Sequence, residues 1–184
     1  AIARSDNAAA VALASRDLSR AQEFSKDFNI ARLYGSYEDI VADPEVEAVY
    51  VPLPNHLHSE WTVKAAQAGK QIFSEKPLSQ DLAHCDEAIA AVRKAGVKLQ
   101  MGFMRRFDPP YASAKQKILE GVIGKPVMFK ATSRDPRRTS LEFARRENSG
   151  GLILDMGVHD FDLARWLMGY EVTRVSTEGA CLAF

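Results

Sequence analysis

The strongest constraint on the fold is a regular alternation of short apolar runs with longer amphipathic stretches over the first hundred residues. Apolar runs such as "AAVALAS" (9–15), "EAVYVPLP" (47–54) and "VKLQMGF" (97–103) are separated by helical patterns, the clearest being "SQDLAHCDEAIAAVRKAG" (79–96). Strands that alternate with helices of roughly 10–15 residues indicate βαβ units and a parallel sheet. The runs are apolar throughout, as expected for strands covered on both faces. The sequence predicts an α/β fold with a Rossmann-like, doubly wound parallel sheet.

The rhythm changes after residue 103. A helix is predicted in "YASAKQKILEG" (111–121) and a strand with one solvated face in "KPVMFKATSRD" (125–135). We therefore expect a dinucleotide-binding domain over 1–103 and the start of an α+β substrate or oligomerisation domain over 104–184. The chain opens without Met in a helix-like tail and closes on the strand-like "VSTEGACLAF". Both domains are accordingly expected to be truncated, one at its N-terminus and the other at its C-terminus.

Composition excludes several classes of protein. The 184 residues contain 24 Lys plus Arg and 24 Asp plus Glu, so the formal net charge is zero. That balance disfavours nucleic acid and anionic membranes as partners. No apolar run approaches the roughly 20 residues of a membrane span, and the two cysteines cannot form a disulfide framework. A cytoplasmic location is predicted. The basic loop 134–146 is expected to be a solvated surface, with its arginines at Arg134, Arg137, Arg138, Arg145 and Arg146.

Ligands of doubly wound sheets lie beyond the carboxyl ends of the strands. At the first such end, Ser15 and Arg16 favour the 2′-phosphate of NADP, whereas an acid such as Asp17 suits the free 2′-hydroxyl of NAD. The same three residues could instead form a solvated turn and a helix cap. At the second, Asn55 could cap the following helix. His56 and His58 form an HxH pair, which is more often two polar residues at a helix start than a metal site.

The third strand end, "FSEKPL" (73–78), places a lysine behind an apolar run. Lysine is almost never fully buried without a partner. Lys76 could therefore orient a substrate hydroxyl, or it could form an ion pair with Glu75 or another carboxylate. From this strand end alone the two interpretations stay equal.

The segment "SGGLILDMGVHDFDLARW" (149–166) concentrates ionisable residues behind two glycines. Asp155 and His159 are four residues apart and share one face of a helix, with Asp162 three residues further on. An aspartate one turn away can fix the tautomer of a histidine that acts as a general base. Together with Lys76 on another element, this pattern favours a catalytic site.

These motifs together resemble the Gfo/Idh/MocA family. The matching segments are "ASRD", "YGSYEDIVADPEVEAVYVPLPNHLHSEW", "AGKQIFSEKPL" and "GGLILDMGVHDFDLARWL". The resemblance implies an NAD(P)-dependent oxidoreductase that transfers a hydride between a polyol or cyclic sugar alcohol and the cofactor, and a homo-oligomer when intact. "MGFMRRFDPPY" with "ATSRDP" is similar to the branch that acts on myo-inositol, at its C2 hydroxyl. The family's Gly-x-Gly-x-x-Gly loop is missing, which again implies an internal piece.

The resemblance also implies roles for individual residues. His159 would accept the hydroxyl proton while Lys76 and Asp155 orient that hydroxyl, and Arg105 would contact the polyol. The remaining predicted residues would contact the cofactor: Ser15, Arg16, Asp17, Pro54, Asn55, His58 and Glu75. No metal is predicted.

Two other classes of function remain open from the sequence. One is a non-catalytic member of the same fold that senses a dinucleotide or a sugar. The other is a metal-dependent hydrolase that would use His56, His58, Asp155 and His159, although a third nearby ligand at a typical spacing is missing.

Overall fold

A computed structural model describes residues 2, 5–137 and 139–180. Five strands are described: β1 (Ala12–Ala14), β2 (Arg32–Tyr34), β3 (Ala48–Val51), β4 (Gln71–Ser74) and β5 (Leu99–Met101). The α-helices of the same residues are α1 (Leu18–Ser25), α2 (Tyr37–Ala42), α3 (His58–Gln67), α4 (Leu82–Ala95), α5 (Pro109–Leu119), α6 (Leu141–Ala144), α7 (Arg146–Ser149) and α8 (Val158–Met168). Shorter turns are 3₁₀-helical at Asn55–Leu57 and Met104–Phe107 and π-helical at Ile153–Gly157.

The strands are parallel, as predicted, but they form two sheets among the described residues. One sheet pairs β1 with β2, and the other has the order β3-β4-β5. Val51 pairs with Ser74, and Ser74 pairs with Met101, so the three strands of the second sheet end at one edge. The predicted α/β class with a Rossmann-like parallel arrangement is confirmed, whereas the single sheet expected from the sequence is divided.

Three of the four helices in the first hundred residues, α1, α2 and α4, start at a side-chain cap, whereas α3 has none. Asp17, Ser36 and Asp81 each accept a hydrogen bond from a backbone N–H in the first turn of α1, α2 and α4. Such caps satisfy donors that have no partner inside the helix. Helix α4 ends at Gly96, whose φ of 68° is a left-handed conformation that glycine adopts without steric cost. These local signals explain why the helix positions were readable from sequence.

The core lies between the second sheet and helices α3 and α4. Ala65 and Ala66 are fully buried and let α3 approach the sheet closely, and Trp61 packs edge-on against Tyr37. The buried cluster consists of Val46, Val49, Val51, Trp61, Ala65, Ala66, Ile72 and Val92. This packing gives rigid support to the loops that follow β3 and β4.

After residue 103 the structure is sparser than predicted. Residues 125–135, expected to be a strand, form none, and Val127 and Met128 are 90% and 82% exposed. A strand needs a neighbour to pair with, and none lies alongside within the described residues. The arginines at 134, 137, 145 and 146 are exposed, in agreement with a solvated loop, while Arg138 lies outside the described residues. The described part of 175–184 forms no strand either, and Cys181 lies outside it.

Helix α5 packs against α8 in this part of the chain. The Lys115 Nζ donates to the carbonyl of Trp166 at 2.6 Å, and Arg106 pairs with Asp162 in the middle of α8. Across residues 2, 5–137 and 139–180, no helix is both long and apolar enough to cross a lipid bilayer.

Candidate active site

Polar side chains collect at the edge where β3, β4 and β5 end. Glu75 directly follows β4, and Gly102 directly follows β5; a Cβ on Gly102 would lie 2.9 Å from a carboxylate oxygen of Glu75. Tyr50 of β3 donates its hydroxyl hydrogen to the same carboxylate at 2.7 Å. Burial and this neighbouring carboxylate raise the pKa of Tyr50 to about 12. Glu75 is therefore held against this edge of the sheet by Tyr50 and Gly102.

Lys76 reaches across to the segment that carries the aspartates and the histidine. Its Nζ donates to Asp155 Oδ1 at 2.9 Å and to the Asp155 carbonyl at 2.6 Å. The two side chains are 17% and 22% exposed, so the ion pair is largely shielded from water. The carboxylate partner of Lys76 is thus Asp155, 79 positions away, and Glu75 pairs with Tyr50 instead.

The π-helical turn Ile153–Gly157 contains Asp155. A π-helical turn changes the backbone hydrogen-bond pattern of a helix, and such turns are frequent at functional sites. The carbonyl of Asp155 accepts from Lys76, so the lysine binds both the backbone and the side chain of this residue. The turn and the ion pair together define where Asp155 lies.

His159 is the second residue of α8. Its Nδ1 is buried and has no hydrogen-bond partner among the described residues. The expectation that an aspartate fixes its tautomer is wrong in this structure, because Asp155 pairs with Lys76 and Asp162 pairs with Arg106. Burial lowers the pKa of His159, and the positive charges of Lys76 and Arg105 lower it further. The ring is therefore biased toward its neutral form, which can accept a proton.

Arg105 lies at the start of the second part of the chain. Its Nη1 donates to Asp160 Oδ1 at 2.6 Å, and the hydroxyl of Ser133 donates to Asp160 Oδ2 at 2.7 Å. Asp160 follows His159 directly, so this contact brings the guanidinium close to the histidine. Sequence reasoning did not single out Asp160 or Arg106, since their significance depends on contacts more than 50 residues apart.

Asn55 does not cap α3 as expected. Its amide donates to the carbonyl of Ser149 at 3.1 Å and faces Asp155 Oδ1 at 3.4 Å, and the residue is 6% exposed. Gln80, which the sequence did not single out, similarly donates to the carbonyl of Asn148 at 3.0 Å. Pro54, before Asn55, is exposed. The loops after β3 and β4 therefore hold the segment that leads into the π-helical turn.

His58 is buried, with 1% of its surface exposed. Its Nδ1 lies 2.7 Å from the carbonyl oxygen of Pro77 and its Nε2 lies 2.6 Å from that of Leu53. Both ring nitrogens thus face backbone carbonyl oxygens, and the buried ring is not directed toward the metal site considered from the HxH pair. Across the described ranges of the chain, no group of three or more His, Cys, Asp or Glu is placed to hold a metal ion.

Ser15, Arg16 and Asp17, predicted to contact the adenosine ribose, directly follow β1. The Asp17 carboxylate accepts from the backbone N–H and from the hydroxyl of Ser19 at 2.9 and 2.7 Å. The hydrogen bond from the Ser19 hydroxyl is the main cause of a lowered pKa at Asp17. Ser15 accepts from the Asp17 N–H at 3.3 Å, and Arg16 is exposed. Asp17 is therefore engaged as a helix cap.

The parallel α/β domain is of the kind found in NAD-binding oxidoreductases. Residues 1–103 match the model of the oxidoreductase family with an NAD-binding Rossmann fold, and residues 111–183 match the Gfo/Idh/MocA C-terminal domain. The chain belongs to the Gfo/Idh/MocA family. The resemblance inferred from the motifs is confirmed, and so is the class of cofactor, NAD or NADP, through the Rossmann domain of the family.

Three relatives illustrate the match. The chain is 41% identical over 163 residues to a scyllo-inositol 2-dehydrogenase (NAD(+)) of Bacillus subtilis, covering 89% of the chain and 47% of that protein. It is 40% identical over 177 residues to a myo-inositol 2-dehydrogenase of Thermotoga maritima, covering 96% and 52%. A crystal structure of a probable dehydrogenase from Thermotoga maritima superposes with a TM-score of 0.86 at 40% identity, covering 90% and 49%. The chain spans about half the length of these relatives.

Proposed function

We propose that the protein containing this chain oxidises a hydroxyl of a polyol or cyclic sugar alcohol to a ketone with NAD(P) as the hydride acceptor. The observation that carries the proposal is the Lys76–Asp155 ion pair beside a buried, unpaired His159 nitrogen. Lys76 comes from the Rossmann-like part, whereas the other two residues come from the segment around α8. The cluster thus lies at the edge of the sheet where the fold binds ligands.

Each of the three residues has a distinct role in this proposal. His159 accepts the proton of the reacting hydroxyl at Nε2, since its Nδ1 is buried, and its lowered pKa keeps the ring neutral beforehand. Lys76 has three N–H donors, of which Asp155 receives two, so one can bind the hydroxyl oxygen. Asp155 orients the lysine. These three residues orient the hydroxyl and remove its proton.

The residues at the strand ends fit a dinucleotide. Asn55, Glu75 and Lys76 follow parallel strands that end at one edge, and Gly102 leaves room for the Glu75 carboxylate there. A bound nicotinamide would accept the hydride from the carbinol carbon. The C–H electron pair leaves as hydride and the O–H proton goes to His159, so that the carbon–oxygen double bond forms and the charges balance.

For the ribose end we propose a preference for NADP. Asp17 caps α1 through Oδ1, which accepts both hydrogen bonds from Ser19, so only Oδ2 is left for a free 2′-hydroxyl. Arg16 is exposed at the end of β1 and can meet a 2′-phosphate. The opposite preference would be found if Asp17 turned from its cap toward the ribose.

The proposed substrate is a cyclic polyol, with myo-inositol oxidised at C2 as the specific candidate. Two relatives at 40% and 41% identity are named for myo- and scyllo-inositol, which supports this class. Arg105 uses Nη1 for Asp160 and retains further N–H groups for substrate hydroxyls. Assays with inositol epimers and both cofactors would rank the candidates.

We further propose that residues 1–103 and 104–184 belong to two domains of a longer protein that forms a homo-oligomer. The separate β1-β2 and β3-β4-β5 sheets support this proposal, since they would form the two sides of one doubly wound sheet if a further strand paired between them. That strand would carry the glycine-rich phosphate loop. Sequencing the coding DNA upstream of residue 1 tests this: an in-frame apolar strand with Gly-x-Gly-x-x-Gly supports it, and a start codon at that point contradicts it.

The catalytic roles are tested in the full-length protein with Lys76→Met and His159→Asn. Each should lower kcat by roughly 10²- to 10⁴-fold, the usual contribution of a positioned acid or base, while the affinity for the cofactor stays nearly unchanged. Lys64→Met is the matched control, since its Nζ pairs with Glu38 and Glu60 on the helical surface. Wild-type turnover in both site variants would overturn the proposal.

A further inference from the structure

The buried His58 ring lies between two loops that both lead to the candidate active site. Leu53, whose carbonyl faces Nε2, belongs to the loop after β3 that carries Asn55. Pro77, whose carbonyl faces Nδ1, directly follows Lys76. His58 is also the first residue of α3, a helix anchored in the core through Ala65 and Ala66. The ring therefore lies against both loops, and its backbone belongs to the rigid helix α3.

Each of the two loops contributes a side chain that contacts the same carboxylate. Asn55 Nδ2 lies 3.4 Å from Asp155 Oδ1, and Lys76 Nζ lies 2.9 Å from it. A shift of either loop relative to the other would change one of these contacts. Reacting groups must be held within fractions of an ångström, and a misplacement of about 1 Å can cost on the order of 10²-fold in rate. The rate of the proposed reaction should therefore depend on the distance between the two loops.

The imidazole ring can act as a brace, that is, it can hold the two carbonyls, and with them the two loops, at a fixed distance. A neutral imidazole carries one N–H and binds one of the oxygens, whereas an imidazolium donates to both. In either form, at least one loop is hydrogen-bonded to the ring. The residue is almost completely buried, so water does not readily replace these contacts. An apolar side chain of similar size would leave both carbonyls without the ring's hydrogen bond.

We infer that His58 is a positioning residue: it sets the distance between the Leu53–Asn55 loop and the Lys76–Pro77 segment and so places the Lys76 ammonium on Asp155. With 1% of its surface exposed, His58 has almost no surface to offer the substrate or the cofactor contact expected from the sequence. The inference rests on the proposed function where its effect on turnover is concerned. Its structural content, the position of Lys76, can be measured without any turnover.

The test compares His58→Leu and His58→Gln with His56→Leu in the full-length protein. His56 is exposed two positions away and serves as the matched control. His58→Leu should lower kcat on the order of 10- to 100-fold with a smaller change in KM. His58→Gln should recover part of kcat, since its amide donates to a carbonyl. Unchanged kcat in His58→Leu, or no recovery with glutamine, would overturn the inference.

A double-mutant cycle separates positioning from general damage. If His58 acts through Lys76, adding His58→Leu to Lys76→Met should cost almost nothing further in kcat. A merely structural role would multiply the two losses, and that result would contradict the inference.

Chemical labelling of lysine amines gives a readout that does not depend on activity. Lys76 is shielded by Asp155, so its labelling rate should rise several-fold in His58→Leu, with no change at Lys64 and none in His56→Leu. An unchanged rate at Lys76 would refute the brace even in an active enzyme. A wild-type protein without polyol turnover would instead refute the proposed function, while the labelling would still decide the brace.

Discussion

The bidentate pair of Arg106 with Asp162 makes a sharp prediction about stability. Arg106 Nε donates to Asp162 Oδ2 at 2.8 Å and Nη2 donates to Oδ1 at 2.5 Å. The Asp162 side chain is 6% exposed, whereas that of Arg106 is 38% exposed. Arg106→Ala would leave a buried carboxylate without its partner. Breaking a buried pair in this way costs about 3–5 kcal/mol. Because the guanidinium is partly solvated, we expect a loss of about 2–3 kcal/mol in the free energy of unfolding.

Urea denaturation of the full-length protein measures this loss. The control is Arg165→Ala on α8, the helix that carries Asp162. Its partner Glu171 is 74% exposed, so water can solvate the carboxylate left behind and no clear loss is expected. A second variant, Arg106→Ala with Asp162→Asn, removes the stranded charge and should recover part of the stability. The reasoning is refuted if Arg106→Ala and Arg165→Ala are equally stable, or if the double variant is no more stable than Arg106→Ala.

Four further predictions concern the site and the segments around it. Lys76→Met should raise the pKa of His159, because the lysine charge helps to lower it. An NMR titration of the ring measures this pKa, and an unchanged pKa would contradict the prediction. Because the pKa of His159 is lower in the folded state than in the unfolded chain, its contribution to stability is fully present above the unfolded-state pKa. This contribution should be lost as the pH falls through the folded-state pKa. His159→Asn should abolish that part of the acid dependence of unfolding. Arg16→Ala should raise KM for NADP more than for NAD, and equal changes would contradict the proposed 2′-phosphate contact. Gly150→Ala should destabilise the protein by about 1–3 kcal/mol in urea, since φ is 78° and the new Cβ would lie 2.9 Å from Leu154 Cδ1; wild-type stability would show that the turn relaxes.

Features with a local physical cause were predicted well from the sequence. Asp81 caps α4 and Gly96 ends it, because capping and left-handed conformations depend on neighbours within a few residues. The apolar runs contain parallel strands, as predicted. The expected cover on both faces is wrong in this structure, because buried and exposed residues alternate along β3 and β4, with Tyr50 47% and Phe73 39% exposed. The α/β class followed from this alternation.

Features that need a distant partner were predicted poorly. The strand expected at 125–135 has apolar residues at suitable positions, yet it pairs with no strand in the described part of the chain. The expected help of Asp162 to His159 failed for a similar reason: helical spacing places the two on adjacent turns, but Arg106 competes for the carboxylate from 56 positions away. Spacing within one helix says nothing about a charge brought in by another element.

The sequence by itself determined the α/β alternation before residue 103, the family and the identity of the polar residues at the strand ends. Only the tertiary structure decided which of these residues meet: Lys76 with Asp155, Arg105 with Asp160, and His58 with the carbonyls of Leu53 and Pro77. The physical reason is that secondary structure depends on short-range backbone preferences and apolar periodicity. Ion pairs and buried hydrogen bonds depend instead on the distances that packing leaves between elements far apart in the chain.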